Sequence, residues 1–360
     1  MKVGPVALEQ PVALAPMAGM TDTAFRRLVK RMGGCGLVVT EMVSSEGLVR
    51  GIDRTLEYAE YTEEERPVSI QIFGGDPAVM AEAARRVEAM GADIVDVNMG
   101  CPVPKIAKHH AGCSLMREPE HAARVIRAMT DAVAIPVTVK MRAGWNEREI
   151  NAPRLARLVE DAGAAAVAVH GRTAAQSYSG ESDWELIGQV AGGVRIPVFG
   201  SGDCIEASQV VTRLKESGVS GVLVGRGALR NPWIFRQAAD VTAGAQLRQV
   251  SAGERARFLL DYIDLLIRER VNEEQGFRHV APGHDAAPPP AATGRERWVI
   301  NKLRALGAWY TKGLVGGSAL RTQINQTQSI DQLRTLISEF FRDPDSGATT
   351  AQEPELYLST

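Results

Sequence analysis

Eight short apolar runs, each ending in a polar residue or a glycine and each followed by helical periodicity, constrain this chain more than any other feature. They are VALAP (12–16), GLVVTE (36–41), VSIQIF (68–73), DIVDVN (93–98), PVTVKM (136–141), AVAVHG (166–171), IPVFGSG (196–202) and GVLVGRG (221–227). Runs this short, continuous and β-branched suit parallel strands buried on both faces. The stretches between them carry helix signals, clearest at 76–90, where Asp76 is an N-cap candidate and Pro77 stands at the first helical position. The segments 118–131, 152–162 and 206–217 read the same way. Eight strand–helix units predict a (β/α)8 TIM barrel, of class α/β. A doubly wound sheet is the alternative, but its first turn is normally glycine-rich, and here that turn is PMAGMTD.

After residue 245 the strand pattern stops. Helical patterns at 253–272, 297–310, 317–327 and 330–341 predict a small all-α bundle. The expected division is a barrel over 1–243, a helical domain over 250–343 with a Pro/Ala-rich insert at 281–293, and a flexible tail over 344–360. The net charge of -2 excludes a globally basic nucleic-acid binder, though not a local basic patch. The four cysteines include no CxxC pair, which argues against a zinc ribbon and for a reducing compartment. No secretory leader, membrane span or membrane partner is expected, so the chain reads as cytoplasmic. His109 and His110 lack a third ligand at sensible spacing, so no metal site is expected.

Barrel active sites gather at the C-terminal ends of the strands. Here those ends carry Pro16–Met17, Glu41, Gln71, Asn98 with Cys101, Lys140 with Arg142, His170 with Arg172, Gly200–Ser201–Gly202–Asp203 and Gly225–Arg226. Each alone has a bland reading, as a turn glycine or a solvated side chain; eight at one topological level point to a site. The glycines after the last two strands allow close backbone approach to an anion, which predicts a phosphate site with Arg226 as charge partner. Lys140, Gln71 and His170 could then border an electron-rich heterocycle, which suits flavin mononucleotide; an isomerase barrel for a sugar phosphate would use the same parts. Cys101 sits in a loop stiffened by Pro102 and Pro104. A thiol with an ordinary pKa of about 8.5 is mostly protonated at neutral pH and can act as a general acid. From Arg295 to Arg321 the chain carries six cations against Glu296, interleaved with Trp298, Trp309 and Tyr310. That is the composition of an RNA-facing surface, although core packing is the favoured reading of the aromatics.

The motifs LAPMAGMTDTAFR, TEMVSS, SIQIFGGDP, VDVNMGCPVPKI with AGCSLM, VTVKMRAGW, AVAVHGRT, GSGD and VGRGALRNPWIF resemble, in order, those of the tRNA-dihydrouridine synthases, most closely the bacterial B-type branch. The likeness runs from Val12 to Phe235 and resumes over Ile300–Phe341. It implies a flavin barrel joined to a tRNA-binding helical bundle. FMN would lie beside Pro16, Met17 and Ala18, with Gln71, Lys140 and His170 lining it. Ser201, Gly202, Asp203, Gly225 and Arg226 would hold its phosphate. NADPH would be the reductant, and Cys101 would protonate C5 of an extruded uridine after hydride reaches C6. Glu41, Asn98, Lys105, Arg142, Arg172 and Arg304 are expected to serve the uracil, the Cys101 loop or the tRNA, and a monomer is expected. An FMN barrel reducing a small dihydropyrimidine-type or enone-type molecule is the alternative. The chain departs from the pattern in three places: Ser201 stands where Asn is usual, Cys113 where Ser or Ala is common, and Ala305–Leu306 where the helical domain usually continues Arg with Lys-His.

Overall fold

In a computed structural model, the described residues are 1–103, 106, 111–268, 279–280 and 293–342. Residues 281–292 of the expected insert, the tail expected over 344–360, and Lys105, His109 and His110 lie outside them.

Eight parallel strands close on themselves: β1 (Val12–Leu14), β2 (Leu37–Val39), β3 (Val68–Phe73), β4 (Ile94–Met99), β5 (Val137–Arg142), β6 (Ala166–His170), β7 (Val198–Ser201) and β8 (Gly221–Val224). Each pairs with its sequence neighbour, and β8 returns to β1. The fold is a (β/α)8 TIM barrel followed by a C-terminal helical region. The strand pleat divides the residues. Val12, Leu14, Val38, Val95, Val97, Val139 and Val167 join the main core with the helices, while Ala13, Ala15, Leu37, Val39, Ile94, Ala166, Phe199 and Leu223 form a separate buried cluster inside the barrel. Val3, from an antiparallel pair of short strands near the N-terminus, plugs that interior from the base.

Aspartates start several of the surrounding helices. Asp22 caps α1 (Thr23–Met32), Asp76 caps α2 (Pro77–Ala89) and Asp183 caps α5 (Trp184–Gly193), each accepting a backbone N–H at 2.9 Å. Between them lie α3 (Pro119–Thr130) and α4 (Ala152–Asp161); α6 (Ala207–Glu216) and α7 (Ile234–Thr242) complete the ring.

The helical region comprises α8 (Ala252–Arg268), α9 (Thr293–Tyr310), α10 (Gly317–Gln326) and α11 (Ile330–Arg342). Helix α9 begins four residues before the expected start at Arg297, because Gly294–Glu296 continue its first turn. An aromatic cluster joins this region to the barrel. Phe258 packs edge-on to Phe25 at 5.9 Å, stacks on Tyr310 at 5.6 Å and meets Trp233 at 5.6 Å. The favoured core reading holds for fully buried Tyr310 but not for Trp298, which is 36% exposed.

Candidate active site at the barrel mouth

The register of the central strands builds the site. Gln71 pairs with Asp96, Asn98 with Lys140, and Lys140 with Ala168, so their side chains point inward at neighbouring levels. They form one hydrogen-bonded chain. Thr138 donates to Asp96 Oδ1 at 2.6 Å, Gln71 Nε2 donates to Asp96 Oδ2 at 2.7 Å, and Asn98 Nδ2 donates to Gln71 Oε1 at 2.8 Å. Asn98 Oδ1 then accepts the N–H groups of Gly100 and Cys101 at 3.1 and 2.9 Å. This network fixes the Gln71 amide orientation and carries the Cys101 loop on top of β4.

Two further groups brace that loop. Arg142 Nε donates to Gly100 O at 2.8 Å, and its Nη1 reaches Thr173 O and Ser177 O. The Cys113 N–H donates to Cys101 O at 3.1 Å. Cys101 stays partly open while Cys113 is buried, and burial pushes the Cys113 thiol up to about 11.

Lys140 reaches the mouth from β5. Burial, then the charge of Arg142, lowers its pKa to about 8, against the opposing pull of Asp96. Among the described residues its ammonium makes no hydrogen bond or ion pair. His170 is held well below the ordinary histidine value by burial first and by Lys140 next, so it is neutral at pH 7. Its Nδ1 accepts the Arg172 N–H at 3.2 Å, which leaves the ring proton on Nε2.

After β7 and β8, Asp203 organises the arginines. It takes Arg172 in a bidentate pair at 2.8 and 2.9 Å and Arg226 at 3.3 Å. Arg172 is fully buried and also donates to Ser179 O and Gly180 O. It is therefore a strut beneath the mouth, not the RNA contact expected for it, and the Asp203 carboxylate is an orienting group for arginine more than a direct anion ligand. Gly202 has φ +142° and lies against Ser182, so a side chain there would clash. Tyr178, overlooked in the sequence, stands 56% exposed between Arg142 and Arg226, whose guanidinium carbons lie 5.9 and 5.0 Å from its ring centre.

The first strand leads into the loop 16–22. Met17 and Thr21 bond to each other, Ala18 and Gly19 are exposed, and the Gly19 N–H donates to the buried Glu41 carboxylate. Glu41 is thus a loop anchor, with its pKa raised by burial and restrained by Lys302. Arg304 lies away from the mouth, donating to Thr327 O at 2.8 Å and to Asn301. Besides Tyr178, the residues missing from the sequence reading are Asp96, Thr138 and Asp22, while Lys302 enters it only as one cation of the basic stretch. Asp96 and Thr138 had a signal, since each sits two residues before a recognised strand-end residue and so shares its face.

The profile of the family described as Dihydrouridine synthase (Dus) matches residues 13–288. The chain is 35% identical over 350 residues to tRNA-dihydrouridine synthase B of Pseudomonas aeruginosa, covering 97% of this chain and 98% of that one. It is 36% identical over 342 residues to tRNA-dihydrouridine synthase B of Xanthomonas axonopodis pv. citri, covering 95% and 96%. Among solved structures, histamine dehydrogenase from Rhizobium sp. 4-9 shares the barrel, with a TM-score of 0.51, 13% identity and coverage of 74% of this chain and 50% of that one. With its profile match spanning most of the sequence and relatives aligned almost end to end, the chain belongs to the dihydrouridine synthase family.

Proposed function

We propose that this protein reduces the C5=C6 bond of a uridine in tRNA to 5,6-dihydrouridine, with FMN as redox group and NADPH as reductant. The observation that carries the reading is a partly open cysteine on a rigidly braced loop beside an unpartnered lysine, in a chain of this family. The residues present fit a flavin. Lys140 offers a free cation, His170 offers Nε2–H, and the first N–H groups of the helix Arg226–Arg230 have no acceptor within that helix. When bound, FMN supplies the hydride that reaches C6 of the uracil.

In this reading Pro16, Met17 and Ala18 lie beside the ring, and Gln71, Lys140 and His170 border it. Ser201, Gly202, Gly225 and Arg226 hold the phosphate, with Asp203 orienting Arg226. Cys101 gives its proton to C5: the S–H bond breaks, the C5–H bond forms, and the thiolate remains under the fields of Lys140 and Arg142, both electrostatically coupled to this thiol. Asn98 and Arg142 position the thiol, and Glu41 anchors the loop beside it. A base inside folded tRNA must leave its stack to reach this depth. Lys105 and Arg304, with the basic face of α9, are assigned to the RNA backbone, which makes binding strongly salt-dependent.

The test is nucleoside mass spectrometry of unmodified tRNA incubated with protein, FMN and NADPH. Dihydrouridine is expected. A yellow, NADPH-oxidising protein that leaves tRNA unchanged would instead favour a small-molecule reductase.

Lys140 adds a pH signature. In the apoprotein it is cationic below about 8 and neutral above. A ligand that needs the cation raises this pKa, so FMN affinity falls as pH rises from about 8 towards the bound-state value, by up to about tenfold per pH unit. Flavin-fluorescence titrations between pH 7 and 9 should show the decline, and Lys140→Met should bind more weakly with a flat profile. A flat profile in the native protein would remove Lys140 from the flavin edge.

A further inference from the structure

Lys302 lies on α9, in the helical region, yet its ammonium is spent on the barrel. It sits 3.0 Å from Asp22 Oδ2, 3.0 Å from Gly19 O and 3.6 Å from Glu41 Oε1. All three side chains are largely buried, at 14% exposure for Lys302, 11% for Asp22 and 5% for Glu41. The Gly19 residue is therefore held at both polar groups, its N–H by Glu41 and its C=O by Lys302. Its φ of +80° is a backbone demand and not a space demand, since an added Cβ would meet nothing within 4 Å. Asp22 is equally committed, capping α1 through Oδ1 and accepting the Tyr262 hydroxyl through Oδ2 at 2.8 Å. Without the lysine, two buried carboxylates that repel each other would lose the cation that lies beside both.

We infer that Lys302 is a positioning residue: from the helical region it sets the conformation of the 16–22 loop at the barrel mouth, and through that loop the affinity for the flavin. The inference rests on the preceding assignment of Pro16, Met17 and Ala18 to the flavin. It makes the helical region part of the cofactor site as well as a surface for RNA. Lys302 contributes no atom to the reaction.

The experiment is a titration of apoprotein with free FMN, read by quenching of flavin fluorescence and by the shape of the visible band. Circular dichroism and thermal unfolding are measured on the same samples. Lys302→Met is expected to weaken FMN binding about tenfold and to alter the band, with the helical content retained. Lys302→Arg, which keeps the charge, is expected to restore most of the affinity. Should Lys302→Met fail to fold, Glu41→Gln reads the same loop, and a roughly threefold weakening is expected from the loss of one charge. Native affinity in Lys302→Met, a loss that arginine does not repair, or native affinity in Glu41→Gln where it stands in for an unfolded Lys302→Met, would overturn the inference. Failure of the native protein to bind FMN would instead overturn the cofactor assignment, and this inference with it.

Discussion

Replacing Cys101 with alanine is expected to lower dihydrouridine formation by about 10²–10⁴-fold, the range typical of a positioned general acid. FMN binding should stay within about twofold of native, because the loop is held through backbone atoms. Asn98 accepts the Gly100 and Cys101 N–H groups, Arg142 binds Gly100 O, and Cys113 N–H binds Cys101 O. None of these bonds uses the Cys101 sulfur, so alanine removes the proton donor and leaves its platform. Nucleoside mass spectrometry gives the product, and reoxidation of prereduced enzyme by tRNA in a single turnover gives the rate. Cys113→Ala is the matched control. That thiol is buried and pushed up to about 11, so it is protonated but without access to the mouth, and its loss should leave the rate near native. A native rate in Cys101→Ala would move the proton donor elsewhere, with the Nε2–H of His170 the next candidate.

Much of this architecture is legible locally. A parallel strand buried on both faces leaves an unbroken apolar run, and a barrel places the polar residue that ends it at the mouth; Gln71, Asn98, Lys140 and His170 were found by that rule alone. Asp96 lies inside its run and not at the end of it, so the strand-end rule does not select it, although DIVDVN places it on the Asn98 face. Arg172 was misread for a different reason. Its position two residues past a strand end suggests a mouth cation, but Asp203, 31 residues later, folds under the same rim and takes its charge. Lys302 is the extreme case, since its acceptor at Gly19 is 283 residues away in the chain. Its local setting reads as a solvated basic face, which is true of Trp298 and untrue of Lys302. Pairings across such separations follow from how the helical region docks, and local periodicity does not encode them.

The start of α1 carries a fully buried ion pair, Arg26 with Glu65. Arg26→Met is expected to destabilise the protein by about 3–5 kcal/mol, the cost of leaving a buried charge without its partner. Arg26 is 1% exposed and Glu65 fully buried, with Nε to Oε2 at 2.6 Å. Every arm of the guanidinium is used: Nη1 donates to Thr21 O at 2.7 Å, and Nη2 to Thr23 Oγ1 and Glu60 O. Methionine would fill much of the volume but satisfy none of these acceptors. Burial already pushes the Glu65 carboxyl upward, with Arg26 and the Thr62 N–H pulling it back. Removing the arginine raises it further, so the folded variant holds a proton that the unfolded chain releases near pH about 4.3. Native and variant share that unfolded reference, so the variant's stability deficit should widen as pH rises from the native folded pKa, already above the ordinary value, towards the variant's higher one. Urea unfolding at pH 5 and pH 8 measures both the size and the sign. The double variant Arg26→Met/Glu65→Leu should recover part of the loss, because it removes the stranded charge along with its partner. Equal deficits at the two pH values, or a double variant no better than the single, would locate the effect in the lost bonds to Thr21, Thr23 and Glu60. The bond to Thr21 O ends in the 16–22 loop, so the same variant should also loosen FMN binding, joining the stability of the barrel rim to the site it carries.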